Sequence, residues 1–540
     1  MPPEPRDLEP PESTPPLLQR VAQLNQIGIA LSREKNIDHL LEHILLQAKT
    51  ITHADGGSFY RRNDNDPDHL HFAIIHNDSL NIALGGSTGK QIPYPPLALY
   101  DQQRNPNLLQ VATFSALKDQ TVAIADAYQE PGFDFSGTKQ FDAKLGYRSK
   151  SFLTVPMKSY DDEIIGVIQL INARDRNTGE IIAFNPTDIS LVESLASQAA
   201  MALTNKVLIN QLERLFESFI SLLNQAIDEK SPYTAGHCAR VPILTMALAE
   251  AVHRTSHGPL ADWTMNDRDR YELKIAGLLH DCGKVTTPVH VVDKATKLET
   301  LFDRIELIDT RFEIIKRDIE LELLRSGNKT QLPDRLAEIE RDRTFLHQAN
   351  IGQEGMPQEE QDRVRTIATK YRWTNGAGER VNFLTTDEVD NLSIPYGTLN
   401  PAEREIIQHH IDVTIRMLES LPWPKHLRNV PEFAGGHHER VDGKGYPRGL
   451  TGDQMSVQAR IMAIADIFEA LTAKDRPYKK GKSLTDALHI LGKLRLTGHI
   501  DPDLFDVFVR ERVFLDYAQT HIDSEQRDEV DLSAIPGFTP

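Results

Sequence analysis

The chain has 540 residues, 40% apolar and 26% charged, an ordinary globular balance with room for more than one hydrophobic core. A formal charge of −18 argues against broad binding to a polyanion such as duplex DNA, while leaving room for a small phosphate ligand in a local basic pocket. Cys238 and Cys282 are the only cysteines, no apolar run is long enough to cross a bilayer, and the opening MPPEPRDLEPPESTPP lacks the basic and apolar regions of a secretory signal. These features predict a cytoplasmic protein with a short disordered lead over 1–16, no membrane segment and no nucleic-acid partner.

Residues 17–205 read as one α+β unit. An amphipathic helix over 17–50 precedes short apolar strands at 71–76 and 151–157, and EIIGVIQLINA (163–173) has the composition of a central strand. From Thr187 to Ser231 there is no Gly or Pro. Apolar residues recur at Ile189, Val192, Ala196, Ala199 and Leu203, then at Leu208, Leu212, Leu215, Phe219, Leu222 and Ala226. This spacing predicts one helix over 187–231, about 65 Å long, which favours pairing with a second copy over burial within one chain.

Chemistry-bearing residues follow. His237 shares a helical face with Val241, Leu244 and Leu248; alone, it reads as a hydrogen-bonded core histidine. His280-Asp281 ends the apolar segment carrying Ile275, Leu278 and Leu279, which delivers an imidazole and a carboxylate to a buried position. A second helical segment starts near Leu298. Leu301, Ile305, Ile308, Phe312, Ile315 and Ile319 form a heptad seam that slips at Glu322, and Leu336, Ile339 and Leu346 resume a stripe after SGNKTQLP, so a helical hairpin is expected at 298–348. In the His409-His410 pair, His410 has apolar neighbours one turn away at Ile406, Ile407, Val413 and Met417, whereas His409 lies beside Glu405 and Asp412. His410 is therefore expected to face inward and His409 the solvent. His437-His438 precede a tight loop containing Gly443, Gly445 and Pro447. Asp466 falls on the small apolar face of Met462, Ala463 and Ala470, where a carboxylate is costly without a cation. Seven inward nitrogen and oxygen ligands suit two metal ions roughly 3.5–4 Å apart, bridged by a carboxylate and a hydroxide and clamping an in-line phosphoryl displacement. Imidazole with carboxylate suits Fe, Mn or Zn.

HDCGK (280–284) with HHERVDGKGYP (437–447) resembles the HD-GYP phosphodiesterases of the HD hydrolase superfamily, and YTAGHCARV (233–241), EREIIQHH (403–410) and ADIFEALTAKDRPYK (465–479) extend the resemblance in order. It implies an all-α catalytic domain over 215–505, with a helical insertion at about 298–398 and a C-terminal tail at 506–540. The implied activity is hydrolysis of cyclic di-GMP to the linear dinucleotide or to GMP, or of a mixed cyclic GMP-AMP. The metal ligands implied are His237, His280, Asp281, His410, His437, His438 and Asp466, with Asp281 bridging. Lys284 would assist at the phosphate or leaving oxygen, Arg476 and Lys479 would hold phosphate, and Gly445, Tyr446 and Pro447 would shape the guanine site. Tyr233 stands where some members carry the Glu of a third metal site, so two divalent ions, Fe or Mn before Zn, are expected. The insertion is either a gate or a passive decoration. The rival readings are a non-catalytic scaffold responsive to a cyclic dinucleotide and a different enzyme of the HD superfamily, such as a nucleotide hydrolase or a di-iron oxygenase.

LLEHILLQAKTITHADGGSFY (40–60), YRSKSFLTVPM (147–157), IIGVIQLINA (164–173) and FNPTDISLVESLASQAA (184–200) resemble a GAF sensor domain. The expected architecture is thus an α+β GAF domain with an antiparallel sheet flanked by helices, a long linker helix, and an all-α HD-GYP domain with an inserted hairpin. A homodimer and a small-molecule ligand at the GAF domain are implied. Asn172, Phe184 and Asp188 match part of a cyclic-nucleotide-binding signature, but Ala173 and Ile189 replace its Lys and Glu.

Overall fold

A computed structural model describes residues 36–538 apart from 64, 232–235, 328, 353–354 and 474–480, together with 26, 28, 29 and 34. The lead at 1–16, Tyr233, Arg476 and Lys479 lie outside the described residues. The chain divides into two compact units, Met1–Leu215 and Phe216–Pro540.

The first unit is a six-stranded antiparallel sheet in the order β3-β2-β1-β7-β6-β5, built from β1 (Ala54–Asn63), β2 (Asp66–Asn77), β3 (Ile82–Gly85), β5 (Val122–Ile124), β6 (Phe152–Lys158) and β7 (Ile164–Arg174). Two-residue strands β4 (Leu97–Ala98) and β8 (Ile181–Ile182) pair with β2 and β7. Helix α1 (Ile37–Thr52) starts where the Asn36 side chain accepts from the amides of Asp38 and His39, satisfying donors the helix leaves open. Its buried face, Leu40, Leu41, Ile44, Leu45 and Ala48, covers Phe59, Ile168 and Leu170 of the sheet. The opposite face carries α2 (Val111–Lys118) and α3 (Ser136–Leu145). The expected α+β unit is thus observed. Asn172 is fully buried, and its amide is engaged by Lys150 N, Tyr147 Oη and Arg148 O, a structural role.

Helix α4 (Pro186–Lys230) runs unbroken for 45 residues, as its lack of internal Gly and Pro predicts. Val192, Leu195, Ala196, Ala199 and Leu203 enter the sheet-unit core, and Ile220 and Ile227 the core of the second unit. Leu212, Leu215, Phe219 and Leu222 are instead 58–66% exposed.

The second unit is helical: α5 (His237–Arg254), α6 (Asp267–Leu279), α7 (Val289–Val292), α8 (Ile305–Ser326), α9 (Leu332–Asn350), α10 (Gln358–Lys370), α11 (Thr386–Leu392), α12 (Pro401–Glu419), α13 (Val430–Gly435), α14 (Val457–Thr472), α15 (Leu484–Leu496), α16 (Pro502–Arg510) and α17 (Val513–His521). Three sequence expectations are corrected. Leu301 is 94% exposed and lies outside the seam; the helix begins at Ile305, and Ile308, Phe312, Ile315, Ile319 and Leu323 carry the buried stripe. The insertion is more than a hairpin, because α8 and α9 share a core with α10, α11 and a two-stranded ribbon, β9 (Arg372–Thr374) and β10 (Arg380–Asn382). Residues 506–540 are not a tail: Phe508, Phe514, Tyr517 and Ile535 are buried in the main helical core. Among the described residues, no helix is long and apolar enough to cross a membrane.

Candidate metal centre

The seven proposed ligands arrive from five places along the chain. Gly236, at a φ of 78°, turns the chain into α5 so that His237 opens the helix, buried. His280 and Asp281 follow the end of α6, packed closely on α5: a Cβ on Gly277 would sit 3.2 Å from Pro242. Past them, a short 3₁₀ turn (Cys282–Thr286) presses on α12, where a Cβ on Gly283 would lie 2.0 Å from the carbonyl oxygen of His410. Only glycine permits that approach, and it brings the His-Asp pair to His410. His410 is 2% exposed, while His409 is exposed and bonds Asp412 at 3.1 Å. His437 and His438 follow α13, and Asp466 lies on α14.

The structure brings the seven together as two trios around one carboxylate. His237, His280 and Asp466 form one trio and His410, His437 and His438 the other, with the ligand atoms of each trio within 4.8 Å of one another. Asp281 reaches both: Oδ2 lies 3.3 Å from His237 Nε2 and 3.2 Å from His280 Nε2, and Oδ1 lies 3.2 Å from His410 Nε2. Lys284 Nζ is 2.6 Å from Asp281 Oδ2. The Tyr446 ring of the Gly-Tyr-Pro loop stacks at 4.8 Å on His438.

Tautomers follow from the hydrogen bonds. Nδ1 of His280 donates to Gly277 O (2.7 Å), Nδ1 of His437 to Ala434 O (2.6 Å), and Nδ1 of His410 to Ile407 O. A carbonyl only accepts, so these rings carry their proton on Nδ1 and turn an Nε2 lone pair inward. His410 Nε2, His437 Nε2 and Asp281 Oδ1 are buried without a hydrogen bond. Lone pairs facing a carboxylate oxygen at 3.2 Å repel unless a cation lies between them, so the donor set fits divalent metal ions.

The electrostatics agree. Burial favours neutral Asp281, but Lys284 and the neighbouring imidazoles outweigh it and hold the carboxyl well below the usual range. Burial, reinforced by His280, pushes His437 down to about 4, which keeps the ring neutral and able to ligate. His237 differs from the others. Its Nδ1 bonds Glu469, whose other oxygen accepts from Arg240 Nε at 2.6 Å. Glu469 is 1% exposed. Sequence reading passed over Glu469 and Arg240, although each lies three residues past a named ligand, on the same helical face.

Beside the trios opens a cavity of about 630 Å³, lined by His438, Asp466 and Tyr446 together with Arg404, Arg440, Lys444 and Lys482. These four cations also went unnamed in the sequence reading. Gly445 and Pro447 flank Tyr446 in the loop.

Family profiles agree with this division. The GAF domain profile matches residues 36–203, and two HD domain profiles match 234–368 and 384–504. The chain carries a GAF domain followed by an HD domain. It is similar to 3'3'-cGAMP-specific phosphodiesterase 1 of Vibrio cholerae, 42% identical over 21% of this chain and 26% of the relative. It is also similar to 3'3'-cGAMP-specific phosphodiesterase 3 of the same organism, 25% identical over 54% of this chain and 37% of the relative. A cyclic di-GMP phosphodiesterase of Pseudomonas aeruginosa is 38% identical over 21% of this chain and 26% of its own length. The chain spans well under half the length of these curated relatives.

Proposed function

We propose that this chain is a metal-dependent phosphodiesterase that opens a cyclic dinucleotide, cyclic di-GMP or the mixed cyclic GMP-AMP, under control of its GAF domain. The observation that carries the reading is Asp281, buried between two ligand trios with one oxygen toward each, beside a cavity lined by four cationic side chains. Two divalent ions, Fe or Mn before Zn, would be held by His237, His280 and Asp466 and by His410, His437 and His438, with Asp281 shared. When bound, they supply Lewis acidity at the phosphoryl oxygens and an acidified water. Lys284 places a proton donor at the same carboxylate and serves the leaving oxygen. Arg476 and Lys479 hold phosphate, and Gly445, Tyr446 and Pro447 hold a guanine against His438. The names of the relatives support the substrate class. The GAF domain senses a small molecule, and α4 joins two copies into a dimer and carries the signal.

The test is incubation of the metal-loaded protein with cyclic di-GMP and with cyclic GMP-AMP, products resolved by chromatography. Linear dinucleotide or mononucleotide is expected. Intact substrate after prolonged incubation at full metal content would favour the scaffold reading.

A further inference from the structure

On the sheet face opposite α1, the GAF domain lines a partly open cavity of about 480 Å³. Its wall is a chain of rings: Tyr60 to Phe72 at 4.6 Å, Phe72 to Tyr94 at 5.8 Å and Tyr94 to Phe141 at 6.3 Å, with Phe135 and Phe152 beyond. Such a wall selects flat, apolar-faced molecules.

Charge narrows the class further. Among the described residues no lysine or arginine lines it, and the imidazole of His76 lies 3.3 Å from the Glu42 carboxylate. A buried phosphate needs a cationic partner, or a nest of free backbone amides. Gly56 and Gly57 lie in strand ladders to both β2 and β7. The start of α3 also borders the cavity, and a helix N-terminus attracts anions. That place is taken, however: Asp134, itself on the lining, accepts from the Ser136 amide at 2.8 Å. A phosphate there would meet a carboxylate. The interior amide of Gln169 is already engaged by the protein, accepting from Tyr60 Oη and donating to Thr154 Oγ1, both at 3.1 Å. Gln110 Oε1 is buried without a hydrogen bond and can accept one from a ligand.

Resting on the reading of this domain as a small-molecule sensor, we infer that its cavity takes an uncharged, planar aromatic molecule carrying a hydrogen-bond donor, and rejects cyclic nucleotides and other phosphate esters. The regulator therefore differs in chemical class from the substrate, and the enzyme is not controlled by its own substrate or product through this site.

Two fluorescent probes that share a ring test this on the full chain: 1-naphthol, neutral at pH 7.5, and 1-naphthyl phosphate. Gly137→Trp serves as a cavity block, because Gly137 lines the cavity and a Cβ there meets nothing within 4 Å. Gln110→Arg adds the missing cation. Naphthol is expected to bind, and to bind more weakly in Gly137→Trp. The phosphate should bind at this cavity at least about tenfold more weakly than naphthol, and Gln110→Arg should narrow that gap. Phosphate binding as tight as naphthol's, and equally weakened by Gly137→Trp, overturns the inference alone. No naphthol binding sensitive to Gly137→Trp overturns both the inference and the sensor reading.

Discussion

Asp281 offers one oxygen to each ligand trio, so its loss should empty both. Asp281→Ala is expected to take metal content from about two ions per chain to below one, read by elemental analysis of dialysed protein; unchanged content would remove the bridging role. Glu469 acts one bond further out. It fixes the His237 ring through Nδ1, whereas the rings of His280, His410 and His437 rest on backbone carbonyls. Glu469→Ala should therefore weaken the His237 trio by about 10–100-fold and leave the His410 trio loaded, while Glu469→Gln, which keeps an acceptor, should lose less. Two ions held with unchanged affinity in the Ala variant would show that the pair is only structural. Lys297 lies away from the centre, is fully buried, and donates to Leu392 O at 3.2 Å. Burial pushes its amine down to about 8. Because the folded value lies below the unfolded value of about 10.4, the unfolded chain binds more protons between them, and stability rises with pH there. Against Lys297→Met, the wild type should thus gain up to about 1.4 kcal/mol per pH unit from pH 8 to 10, measured by denaturant unfolding. The placing of His410 inside and His409 outside was legible because apolar residues mark one face of the helix. Glu469, Arg240 and Lys297 were not, because a polar residue on a helix reads as solvated until its partner from a distant element is known.

At the scale of elements, the insertion separates what a pattern can tell from what it cannot. The stripe from Ile305 to Leu323 announced α8, since a long run at one period needs no knowledge of its partner. The ribbon at 372–382 went unseen because its strands have three residues each, too few for alternation to register. Likewise α16 carries its own start signal, Asp501 capping with Pro502 next, yet the tail boundary placed after residue 505 cuts through it. The correction changes which excision is informative. Removing 298–348 would strip Val364, Phe383 and Leu392 of the partners they share with α8 and α9, and should yield an aggregating chain. The insertion has a narrower neck: Thr398 Oγ1 donates to Lys294 O at 2.9 Å, and Lys294 is held by Glu403 at 2.8 Å, two residues ahead of Glu405 on the helix that carries His410. Replacing 295–397 with a short Gly-Ser linker should give a soluble chain with its metal, since all seven ligands lie outside. Turnover changed several-fold by that excision would favour a gate; unchanged turnover at full metal content would mark the insertion as decoration. Aggregation of the 295–397 variant would show that the neck is not the boundary.

For the whole molecule the decisive feature is α4, because it exposes what a soluble helix normally hides. Leu208, Leu212, Leu215, Phe219 and Leu222 step by four and three, a heptad seam, and the last four are 58–66% exposed in a single chain. Burying each remaining surface against a second copy gains on the order of 1 kcal/mol, so four from each copy give roughly 8 kcal/mol. That is comparable with the cost of association, about 4–15 kcal/mol. With a balance this close to zero, pairing along the seam would be reversible and sensitive to single side chains, as a signalling contact requires. Light scattering at micromolar concentration should give twice the chain mass. Leu215→Glu with Phe219→Glu should give the single chain, because two like charges from each copy would face one another across a desolvated seam. Neither side chain belongs to a core, so unfolding temperature should change little. A wild-type chain that remains monomeric at these concentrations would refute the pairing of α4. A dimer that survives the double substitution would place the interface elsewhere. If the seam also carries the GAF signal, the double variant should lose any response of turnover to a GAF ligand while keeping both metal ions, since all seven ligands lie beyond α4 in the second unit.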